Sequence, residues 1–180
     1  MLSFSEIEID PAVLEEAARI ADMFVSDTAR ARELLIGLIS STSSERLLGT
    51  LSSAGAWLFM YVGSEDPDDT AATIAARFAE VVNTLWENQE GRPQRAAVEF
   101  TALLVASDFA PENPAAAAQV DSVGPVRIIV ALAQWVIALS ATVALVQDGT
   151  PTAGDPLRWA GQGVRDARDM HRVAIARGAR

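Results

Sequence analysis

His171 is the sole histidine of this chain, and the one side chain type that titrates unaided near neutral pH. At helical spacing its neighbours are Val164, Ala167, Ala174 and Ile175, all apolar. That places it toward the core side of a final helix. Such a position fits a packed imidazole bonded to a carbonyl better than a general base or a pH switch. A zinc site needs several nitrogen or sulfur donors, and one histidine in a chain with no cysteine cannot supply them.

Carboxylates are the next candidates. Glu65, Asp66, Asp68 and Asp69 cluster tightly enough to attract Mg²⁺ or Ca²⁺, but lack the spacing and the glycine of a calcium loop. Acidic groups in a first helical turn already have a role there, against the positive end of the helix dipole. Glu87 and Glu90 form an E-x-x-E pair. Magnesium chemistry on such a pair needs a second acidic pair on a facing helix, and Glu99, Asp108 and Glu112 fall out of that pattern. No glycine-rich phosphate loop, G-x-S-x-G or H-E-x-x-H occurs. All 14 basic residues are arginine, which removes Schiff-base and Walker-lysine chemistry. No catalytic residue, metal ligand or cofactor site is assigned.

Two constellations remain as binding candidates. Arg158, Arg165 and Arg172 recur every seven residues and align on one helical face, with Arg168 beside them. An aligned arginine row suits an anionic partner. Asp169, in the same row, can pair with Arg165 and Arg172, which favours a self-paired face over a nucleic-acid contact. Trp57, Phe59, Trp86 and Trp135 are the candidate lining of an apolar small-molecule pocket, against the plainer reading of core packing.

Composition sets the frame for these elements. The 180 residues suffice for one domain with a substantial core, and half of them are hydrophobic. The net charge of -10 favours solubility and disfavours a phosphate backbone as partner. Residues 1–90 are strongly acidic, whereas the final helix is net basic. Opposite charge at the two ends favours intramolecular docking or head-to-tail contact between copies. The first residues carry neither a basic flank nor an apolar run, so a secretory signal is not expected. A bacterial cytoplasm is the expected location.

The pattern predicts an all-α protein: an irregular bundle of six to eight helices around a central apolar helix at about 125–147. A short extended arm over 1–10 precedes a single helical domain over 11–180. Asp-Pro and Asn-Pro steps at 10–11, 66–67, 113–114 and 155–156 each pair an N-cap with a proline at the first helical position. Helices are expected at about 11–25, from 27 to 40, from 44 to 62, from 66 to 90, over 93–107, briefly at 114–121, then at 125–147 and 155–175. Ala54 to Val62 is apolar on every side and should be central.

Two environments compete for the 125–147 helix. Ile128 to Val146 carries no charge and is long enough to span a bilayer. Gln134 lies inside it, and Trp135 sits near its middle instead of at an interface. Ala131, Gln134, Ala138 and Ala141 share one face; Ile129, Leu132, Val136, Leu139 and Val143 share the opposite one. That two-faced pattern predicts a core helix packed on both sides, with the small face suited to close approach of a neighbour or a second subunit. Taken together, the sequence points to a non-enzymatic interaction protein, with a protein partner and homodimer formation expected. The alternatives are a small-molecule binder and a nucleic-acid regulator.

Overall fold

The computed structural model describes residues 9–63, 70, 73, 76–77, 80, 95–97, 99–101, 114–147, 149 and 151–178; side chains are described in these except at 62–63, 116–117, 119–120 and 167–178. The protein is all-α, and no strand occurs among the described residues. Six helices are delimited there: α1 (Pro11–Ser26), α2 (Thr28–Ser41), α3 (Ser44–Gly63), α4 (Pro114–Val123), α5 (Pro125–Val146) and α6 (Asp155–Gly178). Thr73, Ala76, Arg77, Glu80, and residues 95–97 and 99–101 are also helical. The expected arm over 1–10 and the Asp66-Pro67 and Asn113-Pro114 steps lie outside the described residues, in whole or in part.

Local chemistry explains the first boundary. Asp10 is extended, and its Oδ1 accepts from Ala12 N–H at 2.9 Å and Val13 N–H at 3.3 Å, with Pro11 opening the helix. These bonds satisfy donors that have no partner within the helix. Asp27 is the sole residue between α1 and α2. It ends one helix through its backbone N–H to Met23 O and caps the next by accepting from Arg30 N–H at 3.0 Å. Gly124 separates α4 from α5 at a φ of 92°, a left-handed conformation that a side chain would strain.

Among the described helices, α5 packs against α1, α2, α3, α4 and α6, most extensively against α3. Ile128, Ile129, Leu132, Val136, Ile137 and Val143 are fully or nearly fully buried in one core. Each such side chain contributes roughly 1.5–3 kcal/mol by leaving water. α3 is enclosed over most of its circumference: Leu47, Leu51, Ala54, Leu58 and Phe59 are buried, and so are Thr50, Ser52 and Ser53. The buried hydroxyls are served locally or across the fold. Thr50 Oγ1 accepts from Asp10 N–H at 3.0 Å, and Ser52 Oγ donates to Gly49 O at 3.3 Å. Among the described residues no buried side-chain nitrogen or oxygen lacks a partner.

Gly55 lets the two central helices approach. A Cβ there would lie 2.9 Å from Trp135 Cζ3 and 2.9 Å from Val136 Cγ2. The structure corrects one expectation about α5. Its small face is not packed on both sides, because Gln134 and Ala138 are exposed while Ala131 is buried. Neighbours cover a broad face that includes Ala131, and leave a strip through Gln134, Ala138 and Thr142 facing outward.

Two glycines give opposite predictions. Gly37 lies inside α2, and a methyl group added there would meet nothing within 4 Å, so Gly37→Ala should stabilise by about 0.5–1 kcal/mol through helix propensity. At Gly154 a Cβ would run into the Ala18 carbonyl, so Gly154→Ala should destabilise by about 1–3 kcal/mol. Urea unfolding midpoints measured side by side test both signs.

Candidate functional site

The densest charge cluster in the described structure forms where α6 begins. Its centre is Arg158, one turn into that helix. The guanidinium reaches back to α1: Arg158 Nη2 donates to Glu15 Oε1 at 2.8 Å, and Nε lies 3.1 Å from Glu15 Oε2. Nη1 donates to Asp22 Oδ2 and to Asp155 Oδ1, each at 3.2 Å. Glu15 and Asp22 lie two turns apart on α1, so one planar fork spans both.

The same carboxylates organise the turn before α6. Asp22 Oδ1 accepts from Gly154 N–H at 2.6 Å. Asp155 Oδ2 accepts from Thr152 N–H at 2.8 Å. Ser140 of α5 donates its hydroxyl to Ala153 O at 2.6 Å. The 151–154 turn is thus bonded to α1 on one side and to α5 on the other. Here the structure adjusts the expected cap. Gly154 O accepts from Leu157 and Arg158 N–H groups and takes the capping position, while Asp155 is the first helical residue. Its carboxylate folds back to Thr152 because the preceding turn offers a free N–H within reach.

The electrostatics follow from this geometry. The Arg158 hydrogen bond holds the Glu15 carboxyl below its ordinary value, against a smaller opposing effect of burial. The Thr152 backbone bond holds Asp155 down in the same way, with Arg158 adding to it. Arg158 itself is pushed further up, first by Glu15 and then by Asp22. At α1, burial works to raise Asp10, but the Ala12 and Val13 N–H groups and Arg46, which pairs with its Oδ2, outweigh it and lower the pKa. At neutral pH Arg158 offsets only part of the negative charge that the three carboxylates around it carry. Three carboxylates converge on one point, and a guanidinium already fills it. Among the described residues no cluster of three or more His, Asp or Glu side chains is set to hold a metal ion.

The arginine row divides accordingly. Arg158 is engaged within the chain, by acidic residues of α1. Arg165 is exposed and donates to Gln162 Oε1 at 3.0 Å, and Gln162 in turn donates to Asp166 at 2.7 Å. The side chains of Arg168, His171 and Arg172 lie outside the described residues, although their backbone is helical. The aromatic candidates also separate. Phe59 is fully buried and meets Trp135 edge-on at 6.4 Å, in the α3–α5 seam. Trp57 faces α6, where the absent side chain of Gly163 makes room for its indole, and stacks on Tyr61 at 5.4 Å. Trp86 lies outside the described residues. Sequence reasoning missed Glu15 and Asp22 as the partners of Arg158. The opposite charge of the two ends was the available signal, but it named no pair.

Comparison with protein-family models, curated proteins and solved structures returns no match for this chain.

Replacing Arg158 by Met keeps the stem and removes the fork. The variant should lose about 1–2 kcal/mol, since three acidic groups are left facing one another at a partly exposed site. Because the Glu15 and Asp155 pKa values are lowered in the folded protein, their contribution is complete above the ordinary values of 4.5 and 3.8 and is lost as pH falls below them. Thermal melts between pH 6 and about pH 2 should therefore show a steeper acid decline for the native chain than for Arg158→Met.

Proposed function

We propose that this chain is a non-enzymatic protein-interaction module, of the adaptor, inhibitor, immunity or phage and host-defence type, acting in the cytoplasm through its acidic N-terminal half. The observation that carries this reading is the division of charge and apolar surface. Residues 1–90 hold 16 of the 24 acidic residues and 5 of the 14 arginines, so the net negative charge resides there. Within that half, α1 and α2 leave Val25 78% and Ile36 66% exposed. Exposed apolar side chains on an acidic surface offer a partner apolar contact points within an attractive field. A basic protein surface is the matching partner, steered by the acidic field and anchored by the two apolar side chains.

Chemistry on the described ionic groups finds no support in their arrangement. Arg158 ties Glu15, Asp22 and Asp155 together and links elements of the fold. The alternative of a small-molecule pocket has Trp57 and Phe59 directed to different helices, which weighs against a shared cavity. The alternative of a nucleic-acid regulator would rest on Arg165, Arg168 and Arg172.

Affinity capture from the cell of origin tests the reading. The native chain should retain one basic protein at low salt and release it as salt screens the acidic field, over a Debye length of about 8 Å at physiological ionic strength. Val25→Glu combined with Ile36→Glu should abolish retention without altering the circular-dichroism spectrum. Retention of nucleic acid instead, reduced by Arg165→Ala, would replace this reading with the regulatory one.

A further inference from the structure

We draw no further inference here: the strongest candidate, the outward strip of α5 through Gln134, Ala138 and Thr142, carries none because nothing in the structure shows what covers it.

Discussion

The constraint on which this fold depends is the need to cover α5. A helix of 22 residues with Arg127 as its one charged side chain has almost no outward polar surface of its own. Water contact along its length would cost more than the net stability of an ordinary domain. Its position among α1, α2, α3, α4 and α6 is the answer to that cost. α3 approaches it closely: Gly55 presents no side chain where Trp135 and Val136 lie, while Phe59 fills space beside Trp135. Dense packing of this kind leaves few alternatives for the remaining helices.

Ionic contacts have a different task. Glu15, Asp22 and Asp155 around Arg158 sit at the margin of the core, where half-exposed groups add modest energy and definite geometry. A planar guanidinium bonded to three carboxylates from two helices tolerates little rotation or sliding of α6 along α1. Together with the Ser140 and Asp22 bonds to the 151–154 turn, it sets the register of the last helix on the first. Apolar burial decides that the helices associate; this cluster decides how.

Much of the architecture was legible because its determinants are local. Asp10 and Pro11 mark a helix start whose bonds all close within a few residues, and Val13, Leu14, Ala17, Ile20 and Ala21, which recur at helical spacing, are buried, while Phe24 on the same face is half-buried. Ala97 and Phe100, within the stretch expected to be helical over 93–107, are buried. Distant determinants were not legible. The arginine row showed alignment along α6, yet nothing in its spacing pointed to Glu15, 143 residues earlier. A helical wheel divided α5 into two faces without telling which side its neighbours would occupy, and so Gln134 and Ala138 were expected to be covered. Asp155 resembled a cap because an Asp-Pro step usually supplies one. The glycine before it took that role, and its missing side chain leaves room for the Ala18 carbonyl.

The link from Arg158 to Glu15 also dictates an order of synthesis. At about 5–20 residues per second, α1 leaves the ribosome roughly 7–30 s before α6 can reach it. Late in that interval α5 is made but lacks one of its walls, and the 151–154 turn has nothing to close against. Contacts this far apart along the chain slow folding and prolong the exposure of oily surface. Until the final segment arrives, the side of α5 that α6 covers stays open.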